Sequence, residues 1–271
     1  MTTQGDKVFS GAIPRLYETH LVPLIFASYA DDLACRVAAR RPTRVLELAA
    51  GTGAVTRAMA LALPAGTAIV ATDLNAGMLA EAKAIGTARD VTWRQADAMR
   101  LPFDDAAFDA VVCQFGVMFF PDKIEAFREA RRVLAPGGAL AFSVWDRIEE
   151  NEFADVVTQA LATRFPDDPP RFLARAPHGY HDRFAIERDL AAAGFSARAA
   201  IDTVSARSRA ASSRDPAIAY CAGTPLRNEI EARQPGGLDD ATAWATDAIA
   251  RRFGAGPVDG RIQAHVVMVE A

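Results

Sequence analysis

The chain has 271 residues and carries 30 Lys plus Arg against 34 Asp plus Glu, a formal charge of −4. Hydrophobic residues make up 51% and charged residues 24%, enough apolar material to offset the ordering entropy of a core, which excludes disorder along the whole length. The mild acidity argues against a nucleic-acid partner, which calls for a basic stripe. The longest early apolar stretch, Leu21 to Ala30, falls short of the roughly 20 residues a membrane span needs.

The first ten residues, MTTQGDKVFS, hold one Lys and no apolar core, so no signal peptide is expected and the expected compartment is the cytoplasm. Cys35, Cys113 and Cys221 are far apart and odd in number, a pattern that fits neither a disulfide framework nor a metal site. From Arg44 onward apolar runs alternate with helical patterns. Arg44 to Ala49 reads as a buried strand, residues 54–63 as a helix stopped by Pro64, and Thr67 to Asp73 as a second strand. Asn75 is placed to cap a helix running to about Ile85; Val91 to Ala96 and Phe108 to Phe115 are the next strands. Asp122 followed by Glu125 opens a helix ending near Leu134, in the manner of a capping box. Pro136-Gly137-Gly138 then turns the chain into a fifth strand, Ala139 to Trp145. Such strand–helix alternation predicts a doubly wound α/β fold with a parallel sheet, most of its strands continuous apolar runs because both faces are covered.

Beyond Asp146 the pattern loosens. A helix near 151–164 precedes a Pro-rich loop, and a helix over 183–193 ends at Gly194. Phe195 to about Ala206 is read as a sixth strand, 215–233 and 239–253 as helices, and Gly260 to Val269 as a closing strand. The expected organisation is one domain: an N-terminal helical lid (1–43), a core (44–146), substrate-side helices with the sixth strand (147–206), a helical cap insert (207–257) and the last strand (258–271). Tyr220 to Arg227, within the insert, are read as part of a cap over a pocket.

Chemistry concentrates at the strand ends. The first βα turn, Glu47-Leu48-Ala49-Ala50-Gly51-Thr52-Gly53, is glycine-rich and leads into a helix N-terminus, a setting for a polar cofactor. Glu47 is a carboxylate in a buried strand and needs a partner; a ligand ammonium, or alternatively loop N–H groups, would serve. Asp73 follows Gly51 by about 20 residues, the spacing of an acid that accepts from ribose hydroxyls. Asp97 returns to the same edge, where its carboxylate and the Ala98 N–H match the amine and ring nitrogen of adenine. A dinucleotide fingerprint would place glycine at position 56, where this chain has Thr. Together with the buried Glu47, that favours S-adenosylmethionine over NAD.

The segments VLELAAGTG (45–53), ATDLNAGML (71–79), ADAMRLPFDDAAFDAVVCQFGVMFFPD (96–122) and EARRVLAPGGALAFSVW (129–145) resemble the class I S-adenosylmethionine-dependent methyltransferases, in the group that includes the ubiquinone/menaquinone-biosynthesis methyltransferases. The resemblance implies a Rossmann-like seven-stranded sheet whose last strand is antiparallel. It implies that Glu47 and the backbone of Ala49, Gly51 and Gly53 hold the methionine part and Asp73 the ribose. Leu74 and Met78 would lie against adenine, Asp97 and Ala98 at its edge, and Gln114 and Phe115 by the sulfonium. Ala49 stands where such families usually have Gly, which predicts a slightly shifted cofactor.

The expected reaction is in-line methyl transfer to an O, N or C nucleophile of a small molecule, with S-adenosylhomocysteine as product. No nucleic acid, membrane span or metal is involved, and the chain is a monomer or homodimer. A base is needed only if the acceptor stays protonated. His181 is the candidate, with capping of the helix near Asp182 as its structural alternative. Tyr17, Phe119, Trp145, His178 and Tyr180 are the candidate substrate-pocket residues. An NAD-linked oxidoreductase, or a non-catalytic protein that binds the cofactor as a sensor or scaffold, are the competing functions.

Overall fold

The computed structural model describes residues 13–271; the start of the expected lid and the segment read for a signal peptide fall within 1–12 and lie outside the described residues. Seven strands, β1 (Arg44–Glu47), β2 (Ala68–Asp73), β3 (Thr92–Gln95), β4 (Phe108–Gln114), β5 (Leu134–Trp145), β6 (Ala200–Ala210) and β7 (Val258–Glu270), form one sheet in the order β3-β2-β1-β4-β5-β7-β6. The pairings among β1 to β5 are parallel, and β7 runs antiparallel to both β5 and β6. The last strand is thus antiparallel, and the α/β fold class is as expected.

The chain opens with α1 (Ile13–Leu16), a ten-residue π-helix (Tyr17–Phe26) and α2 (Ala27–Ala39). Then α3 (Ala54–Ala62), α4 (Ala76–Ile85) and α5 (Lys123–Val133) connect the parallel strands. Next come α6 (Glu152–Arg164), α7 (Phe172–Arg175) and α8 (Arg183–Ala192); α9 (Arg214–Ala222), α10 (Leu226–Arg233) and α11 (Leu238–Phe253) precede β7. Helices cover both sheet faces, which is why β4 is apolar almost throughout. Its Ala110 and Val112 join Leu33, Val37, Val55 and Met59 of α2 and α3, while Val111 and Cys113 join Phe127, Val133, Ile186 and Leu190 of α5 and α8. In α2 the buried positions Ala30, Leu33, Ala34 and Val37 form the stripe a core-facing helix needs. Among the described residues no helix is long and apolar enough to cross a membrane.

Four local expectations change. Pro136-Gly137-Gly138 does not precede the fifth strand but lies within it: Leu134 pairs with Phe108, Ala139 with Ala110, and the residues between bulge out of register. The sixth strand starts at Ala200 rather than Phe195, because Phe195 turns inward to the core and Phe195 N closes onto Leu190 O at 3.1 Å after Gly194. The helix expected over 215–233 breaks into α9 and α10 at Gly223-Thr224-Pro225; Thr224 Oγ1 bonds Tyr220 O at 2.7 Å and takes the Leu226 N–H at 3.1 Å. Asn75 precedes α4 without capping it, its amide instead lying 3.4 Å from Asp73 Oδ1. Asp122 does cap α5, accepting from Glu125 N at 2.9 Å.

Candidate functional site

Strands β2 and β3 lie on one side of β1, and β4 returns on the other, so strand order reverses between β1 and β4. A crevice opens at the carboxyl ends of strands at such a point. Here it becomes a deep cavity lined by Ala49 and Gly51 after β1, Asp73 and Leu74 at β2, Asp97 and Ala98 after β3, Gln114 and Phe115 at β4, and Trp145 at β5.

The first turn is shaped by left-handed backbone. Ala49, Gly51 and Gly53 have φ of 51°, 57° and 84°. For Ala49 this costs about 1–2 kcal/mol that glycine would not incur. Backbone bonds hold the turn: Ala50 N donates to Thr72 O at 2.8 Å and Gly53 N to Ala50 O at 2.9 Å. Asp73 pins it from β2, with Oδ2 accepting from Gly51 N at 2.8 Å and Oδ1 from Asn75 N at 2.7 Å. Burial raises the Asp73 carboxyl above its usual range against these N–H donors. Leu74 is 48% exposed, an apolar shelf beside Met78, and its carbonyl is fixed by Gln95 Nε2 at 2.8 Å. Asp97 turns one oxygen to Met99 N at 2.9 Å. Gln114 donates to Phe26 O at 3.2 Å, while its Oε1 is buried with no partner among the described residues.

Glu47 and Gly53 are not on the cavity wall. Glu47 is 1% exposed, and its Oε2 accepts from Thr56 Oγ1 at 2.5 Å, within the protein. The partner it shows within the protein is Thr56, the residue that replaces the third glycine of a dinucleotide fingerprint. The signal was present in the sequence as a hydroxyl on the first turn of α3. Gly53 instead starts α3, and a Cβ there would stand 3.0 Å from Trp93 Cη2. Burial pushes the Glu47 carboxyl up to about 8 despite the Thr56 hydroxyl. A folded-state value raised above the unfolded one contributes stability that is full below the unfolded value and is lost as pH rises through about 8. Glu47→Gln is neutral and keeps an oxygen for Thr56. Denaturant melts should show the variant gaining on the wild type between about pH 5 and pH 8; a difference that stays flat would refute the buried-acid assignment.

The other half of the cavity is aromatic. In the π-helix, Ala27 N donates to Val22 O, the i to i+5 pattern, so residues four to five apart stack on one face. That face presents Tyr17, Leu21, Ile25 and Phe26 to the cavity. Arg57 ties this helix to the glycine turn, with Nη2 on Glu18 Oε1 at 2.7 Å and Nη1 on Thr52 O at 2.7 Å. Phe115, at φ 52°, stacks on Trp145 with ring centres 3.9 Å apart and planes within 5°. Phe119, Phe172 of α7, and Tyr220 and Thr224 at the end of α9 complete the wall.

His178 joins that wall, but His181 and Tyr180 do not. His181 Nδ1 lies 2.8 Å from His178 O, outside the cavity, and Asp182 rather than His181 caps α8, accepting from Phe184 N at 2.9 Å. Tyr180 donates to Asp189 Oδ2 at 2.9 Å. The loop doubles back so that only one histidine of the pair faces inward, a choice that spacing does not reveal.

A family model described as a methyltransferase domain matches residues 46–142. A demethylmenaquinone methyltransferase of Mycolicibacterium gilvum is 36% identical over 162 residues, 56% of this chain and 68% of that protein. A ubiquinone/menaquinone biosynthesis C-methyltransferase of Pseudomonas aeruginosa is 30% identical over 204 residues, 70% of this chain and 75% of that protein. Among solved structures, a Haemonchus contortus phosphoethanolamine N-methyltransferase in complex with S-adenosylhomocysteine superposes with a TM-score of 0.61 at 16% identity, covering 100% of this chain and 61% of that one. That last likeness is one of fold.

Proposed function

The chain belongs to the class I S-adenosylmethionine-dependent methyltransferases of the ubiquinone/menaquinone-biosynthesis type, and from that membership we propose that it methylates a small molecule carrying a hydroxylated aromatic ring. The observation that carries this reading is the division of one cavity into a polar half at the tips of β1 to β3 and an aromatic half between β5, the π-helix and α9. The named relatives act in quinone biosynthesis, and the aromatic half suits a flat ring of that kind. Neither the oxidoreductase nor the silent binding protein draws support from these relatives.

The polar half fits the cofactor. Among the described residues Gln114 Oε1 is a buried acceptor without a partner, Gly51 leaves room for a ligand at the turn, and Leu74 offers apolar surface beside the buried Asp73 carboxylate. In this reading Asp73 holds the ribose hydroxyls, and Leu74 and Met78 lie against adenine. Asp97 and the Ala98 N–H meet the adenine edge; Ala49, Gly51 and Gln114 hold the methionine part; Phe115 lies by the sulfonium. Glu47 acts from behind the turn by fixing Thr56. When bound, S-adenosylmethionine supplies a methyl group already activated for displacement. The chain's own task is then alignment and exclusion of water, and alignment is worth about 7–11 kcal/mol of a bimolecular barrier. The rigid Phe115–Trp145 stack and the π-helix face perform it.

Ligand-induced stabilisation tests this reading. S-adenosylmethionine or S-adenosylhomocysteine at about 100 times its Kd should add about 2.7 kcal/mol, a rise of roughly 5–10 °C in Tm for a chain of this size. NAD should add nothing. No rise at millimolar cofactor, or an equal rise with NAD, overturns the assignment.

A further inference from the structure

We propose that His178 is the catalytic base, taking at Nε2 the hydroxyl proton of the aromatic acceptor. The inference rests on the acceptor class given above and adds the residue that activates it.

The geometry assigns the tautomer. His178 is 5% exposed and lines the aromatic half of the cavity, its ring 6.0 Å from that of Trp145. Its Nδ1 lies 2.8 Å from the carbonyl oxygen of Asp146. A carbonyl only accepts, so Nδ1 carries the proton and Nε2 of the neutral ring carries the lone pair. No described residue hydrogen-bonds to that Nε2, so its lone pair is available to an occupant of the cavity.

The carbonyl that sets this arrangement is itself immobilised. Asp146 N donates to Gln263 O at 3.1 Å, and the Asp146 carboxylate accepts from Gln263 Nε2 and from Arg147 N, each at 2.7 Å. Asn151 Nδ2 approaches Asp146 O at 3.4 Å while Asn151 Oδ1 accepts from Gln263 N at 3.1 Å. A base held by such a framework keeps its orientation without paying for it in each turnover. Burial pushes the His178 imidazole down to about 4, aided by His181, so the resting ring is neutral near pH 7 and Nε2 is unprotonated. The Asp146 carbonyl and carboxylate and the Glu149 carboxylate act in the opposite sense, and they favour the imidazolium once it forms.

A phenolic hydroxyl has an ordinary pKa near 10 and stays protonated at neutral pH, so its methylation benefits from a base. The O–H bond breaks with its electron pair left on oxygen, and an N–H bond forms at Nε2. The freed pair, shared between the oxygen and the ring, makes either the oxygen or a ring carbon a nucleophile; where carbon reacts, its own hydrogen then leaves as a proton to water and the oxygen regains one, which restores the aromatic ring. The imidazolium returns the proton to water after turnover.

The test uses the full chain, ¹⁵N-labelled at histidine and saturated with S-adenosylhomocysteine, and titrates 4-nitrophenol and less acidic substituted phenols. His178 should show a protonated Nδ1 and a bare Nε2 before addition, and the Nε2 resonance should move as phenol binds. Phenol binding is followed independently by Trp145 fluorescence. If no phenol perturbs Trp145, the acceptor class is wrong; if Trp145 responds and His178 Nε2 does not, the base assignment alone is wrong. His178→Asn keeps a donor for the Asp146 carbonyl while removing the base. It should lower kcat by about 10²–10⁴-fold for weakly acidic phenols, and by less than about tenfold for nitrophenols already ionised in solution, with the Kd for S-adenosylhomocysteine unchanged. A loss of equal size across the phenol series marks a merely structural role and overturns the proposal.

Discussion

Asp73→Ala should weaken cofactor binding by about tenfold to 10²-fold or more while leaving the fold nearly as stable as the wild type. In the proposed role, each charge-assisted hydrogen bond from a ribose hydroxyl to this carboxylate would be worth about 1.5–3 kcal/mol, and every 1.4 kcal/mol is about tenfold in Kd. Losing one such bond weakens binding about tenfold or more, and losing two weakens it by about 10²-fold or more. Two opposing effects protect the fold. The variant loses the acceptor for Gly51 N and Asn75 N, bonds of 2.8 and 2.7 Å worth about 1 kcal/mol each in net terms. It also removes a buried carboxylate whose pKa burial has raised, and so relieves that desolvation cost. Calorimetric titration with S-adenosylhomocysteine, beside a denaturant melt of the free protein, separates the two. Unchanged affinity would remove Asp73 from the ribose role; a collapse of stability would make it a structural pin for the glycine turn.

That dual position of Asp73 shows what a sequence can and cannot disclose. Its place was legible because β2 is apolar on both faces and ends abruptly in an acid, and because strands of a parallel sheet return to one edge. Asp97, Gln114 and Phe115 followed by the same topological reasoning, and the structure brings all of them to one cavity. The failures are local pairings between side chains on different elements. The Thr56 hydroxyl that donates to Glu47 was visible as a polar residue on the first turn of α3, but spacing alone does not single it out as the partner. The Pro-Gly-Gly bulge in β5 looks like any turn until Leu134 is seen to pair with Phe108 before it. β6 is an edge strand with a mostly exposed, weakly alternating pattern, so its register is poorly marked. The π-helix carries Pro23 within an apolar run, and such a run fits several helical periods. In the histidine loop, the carbonyl that selects His178 over His181 belongs to Asp146, 32 residues earlier in the chain.

The second large effect concerns Ala49, which stands where the resemblance leads one to expect Gly. Ala49 holds a left-handed φ of 51°, and its methyl group occupies the space over Gly116. A Cβ built on Gly116 would lie 2.5 Å from Ala49 Cβ and 2.7 Å from Cys113 Sγ, distances at which a neighbour must shift. Gly116 has φ −101°, a conformation open to any residue, so the obstruction is steric and not conformational. Gly116→Ala should therefore destabilise by about 1–3 kcal/mol, as overpacking does, lowering Tm by about 2–12 °C. It should also weaken cofactor binding, because both residues line the cavity. Ala49→Gly alone should change stability little. Relief of about 1–2 kcal/mol of left-handed strain is offset by about 0.4–1 kcal/mol of added freedom in the unfolded chain. The double variant makes the decisive comparison. With the Ala49 methyl absent, the new methyl at position 116 has room on that side, and the cycle should show a coupling of about 0.5–3 kcal/mol in favour of the pair. A double variant no more stable than the sum of its parts would mean that Cys113, rather than Ala49, sets the limit at Gly116, and that the alanine in the first turn is tolerated without any compensating glycine opposite it.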